Sequence, residues 1–195
     1  MEVKTSMDDL HEIEAIKRLK AKYFRCCDLH LFDELQECFT EDVTARYHSG
    51  QYAFDGREQL MCFLREAFAP TMLTSHHGHT PEIELTSPTT AIGIWAMQDI
   101  CIDVAAGTTL RGAGFYRDEF VKVDGQWKIK LISDDRIYAE VENRADSPSL
   151  RLTENFVTRK KWVTGIGERC RRTQPDHDGG REPADDSPTD RDTRP

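Results

Sequence analysis

Four runs decide the fold: TSHHGHTPEIELT at 74–86, AIGIWAMQDICIDV at 91–104, TTLRGAGFYRDEFVKV at 108–123 and WKIKLISDDRIY at 127–138. Each is rich in β-branched and aromatic residues, which fit a pleated, half-buried surface. Ser87-Pro88, Ala106-Gly107 and Asp124-Gly125 separate them, and these residues make tight turns. The pattern predicts a four-stranded antiparallel meander with one face of each strand buried.

Upstream the period changes. Leu10, Ile13, Ile16, Leu19, Tyr23, Phe24 and Cys27 recur every three or four positions, which predicts an amphipathic helix over 9–27. Phe32, Leu35, Cys38 and Phe39 suggest a second helix. Leu60, Phe63, Leu64, Ala67 and Phe68 suggest a third, closed by Pro70. Between them Val43–Tyr47, Ser49-Gly50 and Gln51–Phe54 read as a small hairpin capping one end of the domain. Three helices followed by a meander make an α+β layout, in which a strongly curved antiparallel sheet wraps the helices and leaves a ligand-sized hollow.

A chain of 195 residues supports one core plus a tail. The expected division is a catalytic domain over 1–143 and an extension over 144–195, with a short helix at 148–162 and a Pro-, Gly- and Asp-rich tail too polar to fold alone. The net charge of -9 argues against a nucleic-acid surface. No apolar run approaches the roughly 20 residues that span a bilayer, nor does one follow Met1, so the expectation is a cytoplasmic protein without membrane association. Cys26, Cys27, Cys38, Cys62, Cys101 and Cys170 show no Cys-x-x-Cys pairing, and no disulfide framework is expected.

Chemistry-bearing residues gather on the strands. Ser75-His76-His77-Gly78-His79 opens the first of them. Strict alternation puts His77 and His79 on the face of Ile83 and Leu85, whereas a bulge near Gly78 brings His76 inward instead. On the next strand Trp95, Met97, Asp99 and Cys101 share a face, so Asp99 needs a partner. A histidine from the neighbouring strand would make a general base, while anchoring a backbone group or an Arg is the alternative. Tyr23 and Asp28 lie five apart, about 140° on a helix, and face one pocket only if the helix ends near Asp28. Tyr47 offers a second phenol, and Trp95, Met97 and Phe115 are taken as substrate-binding residues. A metal site from His76, His77, His79 and Asp99 is disfavoured because adjacent strand residues diverge, so no metal is expected.

Ile13-Glu14-Ala15-Ile16-Lys17, Leu19-Lys20, Lys22-Tyr23-Phe24-Arg25-Cys26 and Asp28, with His79-Thr80-Pro81-Glu82-Ile83 and Asp124-Gly125-Gln126-Trp127, resemble the bile-acid 7α-dehydratase family over about 13–138. That family sits within the scytalone dehydratase and SnoaL-like group of the nuclear transport factor 2-like superfamily. The resemblance implies a trimeric cone-shaped hydro-lyase without cofactor, acting on a 3-oxo-4-ene steroid or bile-acid derivative, either free or as a coenzyme A thioester. Matched by position, it implies catalytic roles for Tyr23, Asp28, His76 and Asp99 and places its second tyrosine at Tyr47. His76 would be the base, Asp99 its orienter, and Tyr23 with Asp28 donors to oxygen. The sequence carries His77 where that family has an apolar residue. Ketosteroid isomerisation, dehydration or cyclisation of a smaller polyketide, and a non-enzymatic small-ligand module are the alternatives on the same fold.

Overall fold

The computed structural model describes residues 6–159. Helix α1 (Met7–Asp28) opens on Ser6, whose hydroxyl accepts from the Asp9 amide while the Asp9 carboxylate accepts from the Ser6 amide. That reciprocal box satisfies two otherwise orphaned donors. The buried stripe of α1 is Ile16, Lys20, Tyr23, Phe24, Cys26 and Cys27, at helical spacing but with a lysine in it. Helices α2 (Phe32–Gln36) and α3 (Arg57–Ala67) follow, and α3 stops before Pro70.

The expected meander forms from β3 (Met72–Ser87), β4 (Thr90–Asp103), β5 (Thr108–Val123) and β6 (Gln126–Asn143). The hairpin of β1 (Phe39–Tyr47) and β2 (Tyr52–Asp55) is more than a cap. β1 runs parallel to β6, with Ala45 opposite Ile132, so the sheet is mixed and six-stranded in the order β2-β1-β6-β5-β4-β3. The wholly antiparallel sheet is thereby corrected. Val43, Ala45 and Tyr47 are buried, and joining the larger sheet gives their backbone groups partners as well as a core to face.

The helices lie against one face of the sheet, the α+β arrangement expected, and that inner face is layered by strand register. At one end Ala91 opposes Phe120, and Ile16, Phe39 and Ile129 fill the apolar bottom. Trp95 opposes Tyr116 at mid-height, and Asp99 opposes Gly112 near the end where α1 stops. Polar groups therefore climb one face of the sheet toward Asp28.

After Asn143 a 3-10 turn, Arg144–Asp146, leads to α4 (Phe156–Arg159). The helix expected over 148–162 thus begins at Phe156, because the Asn155 side chain accepts from the Val157 amide and caps the start there. Val157 is buried, and Phe156 meets the His30 ring edge-on, so packing against the core continues past Asn143. Residues 160–162 and the stretch expected to form the polar tail lie outside the described residues. No helix among the described residues is long and apolar enough to cross a membrane. Cys26, Cys27, Cys38 and Cys101 are free thiols, while Cys62 is held in a disulfide.

Candidate active site

His76 reaches the interior through a bulge. The pairing of β3 with β4 shifts between His79 and Glu82, and Thr80 there takes a φ of 31°. One extra residue reverses the alternation, so His76 and Gly78 share the inner face with Ile83 and Leu85. His77 and His79 turn outward, exposed and stacked on each other. The three-histidine metal cluster therefore does not assemble. The His76 ring lies parallel to Phe24 at 6.4 Å and edge-on to Phe68 at 5.8 Å.

Its partner is Asp28, the last residue of α1. A carboxylate at a helix C-terminus opposes the helix dipole. Here Asp28 is compensated by the His76 amide at 3.0 Å, the Thr74 hydroxyl at 2.9 Å and His76 Nδ1 at 2.6 Å. Burial works against its charge, but the bonds from His76 and Thr74 outweigh that and hold the carboxyl below its usual range. An ionised carboxylate only accepts, so Nδ1 carries a ring proton, and in the neutral imidazole Nε2 presents a lone pair. Asp28 is thus placed to orient the base rather than to donate to an oxygen.

Asp99 has a different partner from the one expected. Both its oxygens are taken by Arg136, at 2.6 and 2.7 Å, in a fork-to-fork pair. Asp134 lies 3.2 Å from Nε of the same guanidinium, in ion-pair contact without hydrogen-bond alignment, and its other oxygen accepts from the His48 amide at 3.0 Å. Burial opposes the Arg136 charge, yet the Asp99 bonds outweigh it and raise its pKa further. Gly112 makes room: a Cβ there would lie 2.4 Å from Arg136 Nη1 and 3.0 Å from Asp99 Oδ1. The sequence left an Arg open as the alternative partner of an inward Asp99 without singling out Arg136, which is the one that reaches it.

Below this level Tyr23 and Tyr47 meet hydroxyl to hydroxyl at 3.3 Å, and burial pushes both phenols up, so both stay protonated and able to donate. Deeper still, Lys20 Nζ lies 2.6 Å from Asp118 and over the rings of Tyr116, Tyr23, Phe24 and Trp95, the nearest centroid 3.7 Å away. Both charges are fully buried, and burial pushes each toward its neutral form, Asp118 up to about 6 and Lys20 downward. Neither Lys20 nor Tyr116 was singled out by pattern. For Tyr116 the signal was present, since alternation with Asp118 and Phe120 places it inside.

Trp95 and Met97 are buried on the inner face as expected. Phe115 is not there: with Tyr116 inward, its neighbour must point out, and Phe115 is 36 % exposed on the outer surface. Two surface depressions, of about 370 and 950 Å³, open near Arg57, the larger extending to Phe120, and neither is lined by any candidate residue. The chemistry instead gathers at the end of α1, where the side chains of His76 and Asp28 keep 10 % and 23 % of their surface open above closed Asp99. An oriented imidazole lone pair, two protonated phenols and a clamped guanidinium can take a proton from carbon and stabilise negative charge developing on oxygen.

A model of the SnoaL-like domain matches residues 8–132. Among solved structures, a protein assigned as a scytalone dehydratase from Novosphingobium aromaticivorans is 28 % identical, with a TM-score of 0.64 over 68 % of this chain and 88 % of that one. A hexachlorocyclohexane dehydrochlorinase of type 3 from Novosphingobium barchaimii is 18 % identical, with a TM-score of 0.65 over 76 % of this chain and 99 % of that one. The second likeness is one of fold.

Proposed function

The chain belongs to the SnoaL-like family, and from that premise we propose that it is a cofactor-independent hydro-lyase that eliminates water from a hydroxylated 3-oxo-4-ene steroid or bile-acid derivative. The observation that carries this reading is the 2.6 Å contact between Asp28 and His76 Nδ1, which leaves Nε2 free to act as base. In such a substrate the enone acidifies the vinylogous carbon beside the hydroxyl-bearing one. His76 Nε2 takes that proton, and the electron pair moves through the enone onto the carbonyl oxygen. Tyr23, backed by Tyr47, donates to this developing oxyanion, and the charge is held near Arg136. As the dienolate collapses, the C–O bond breaks and the proton on His76 leaves with the hydroxyl as water.

The neighbour assigned as a dehydratase and the dehydrochlorinase both carry names that denote loss of a small leaving group, which agrees with this class. The same proposal takes the protein as a cytoplasmic homotrimer or other homo-oligomer whose substrate is the free acid or its coenzyme A thioester. It is tested by incubating the protein with a 7α-hydroxy-3-oxo-4-ene steroid and following the ultraviolet band as the enone becomes a dienone. Growth of that band, lost in His76→Ala but kept in His77→Ala, supports the reading. Migration of a double bond without loss of water points to isomerisation, and equal losses in the two variants remove His76 as base.

A further inference from the structure

Cys101 has no part in that elimination, yet its place is specific. It follows Asp99 by two residues on β4 and so shares the inner face, and its register partner Thr74 precedes His76 by two on β3. One ligand atom each from His76, Asp99 and Cys101 lie within 4.8 Å of one another. We propose that these three side chains form a binding site for a borderline-soft divalent cation of the zinc class, with a fourth position open to water.

The donor set fits. Zinc takes imidazole nitrogen, thiolate sulfur and carboxylate oxygen at about 2.0–2.3 Å, and three protein ligands with an open position are a known arrangement. Tetrahedral bonds of that length set ligand atoms roughly 3.5 Å apart, so atoms already within 4.8 Å of one another need close by no more than roughly 1.3 Å on binding. The surroundings fit as well. Asp28 on Nδ1 is the carboxylate that a metal-binding histidine requires behind it, fixing the tautomer that frees Nε2. Arg136 uses one lone pair on each Asp99 oxygen, and a carboxylate offers about four, so coordination does not expel the guanidinium.

Charge favours a cation too. The ion's two positive charges and that of Arg136 meet Asp28, Asp99, Asp134 and a Cys101 thiolate, three against four. Binding breaks the S–H bond of Cys101, forms a sulfur–metal bond and releases one proton to solvent. The ion occupies His76 Nε2, so zinc inhibits turnover; this consequence rests on the dehydratase reading, whereas binding itself does not.

The test is an anaerobic titration of the full chain with Co²⁺, whose bond to thiolate gives a near-ultraviolet charge-transfer band. The expected result is a band that saturates at one equivalent, is displaced by Zn²⁺ and is lost in Cys101→Ser. Asp28→Asn weakens Co²⁺ binding by about 10–100-fold, as loss of a supporting carboxylate does elsewhere. No thiolate band at one equivalent, or a band that persists in Cys101→Ser, overturns the proposal. A normal band with Zn²⁺-insensitive turnover upholds the site and removes His76 from the reaction, so the two failures are told apart.

Discussion

Replacing Asp28 by Asn separates the two carboxylates that compete for the role of orienter. Asparagine keeps the shape, but its single oxygen is claimed by the His76 amide, which now donates to Asp28 at 3.0 Å. Its NH₂ then faces Nδ1, which must become the acceptor, so the ring proton moves to Nε2 and the base is lost. The charge-assisted bond at stake is worth roughly 1.5–3 kcal/mol, about 10–150-fold in rate at 1.36 kcal/mol per decade. Inverting the tautomer removes general-base help that contributes about 10²–10⁴-fold. The expected loss in kcat for Asp28→Asn is therefore about 10²–10⁴-fold, with KM little changed. Long-range ¹H–¹⁵N correlation of the imidazole reads the tautomer without any substrate. It should report the proton on Nδ1 in the native protein and on Nε2 in Asp28→Asn, with no change of tautomer in Asp99→Asn. A native ring protonated on Nε2, or an Asp28→Asn enzyme within tenfold of native kcat, refutes the reasoning.

Lys20→Met leaves Asp118 buried and unpaired and should cost about 3–5 kcal/mol in urea denaturation, most of it recovered when Asp118→Leu is added. Burial raises the Asp118 carboxyl to about 6, so the folded state holds its proton more tightly than the unfolded state does. This contribution is complete below about pH 4 and falls as pH rises to about 6, by at most ~1.4 kcal/mol per unit, a slope that Asp118→Asn should flatten in urea titrations across that range. Gly112→Ala places a methyl against Arg136, Asp99 and the Tyr138 carbonyl, and should lower kcat at least tenfold while leaving the His76 tautomer unchanged by NMR.

The fold was legible because two periods dominate the chain. Ile16, Tyr23, Phe24 and Cys27 keep helical spacing, while Trp95, Met97 and Asp99 keep the alternation of a strand, and each set lands on one buried face. What pattern could not show is pairing between distant segments. The parallel contact of β1 with β6 joins residues nearly ninety positions apart and leaves no local mark. Asp99 illustrates the same limit. Its need for a partner follows from burial, but whether His76 or Arg136 supplies it depends on which side chain reaches the carboxylate. Lys20 was passed over because a lysine within an apolar stripe is ordinarily a solvated edge, and its buried state depends on Asp118 from β5.

The bulges explain why these groups converge at all. β3 gains one residue between His79 and Glu82, and β6 departs from regular pairing with β5 between Phe120 and Glu119 and again between Gly114 and Ala113. Each irregularity exchanges the faces of everything beyond it. Without the first, Ile83 and Leu85 could be buried only with His77 and His79 inward, and His76 would lie outside beside solvent. Without the last, Arg136 on β6 could not lie on the inner face together with Ala139, the register partner of Gly112. The apolar bottom and the polar mouth thus demand opposite phases along the same strands. One extra residue between them lets a single sheet satisfy both, with the hydrophobic core fixing one phase and the Asp28–His76 and Asp99–Arg136 pairs fixing the other.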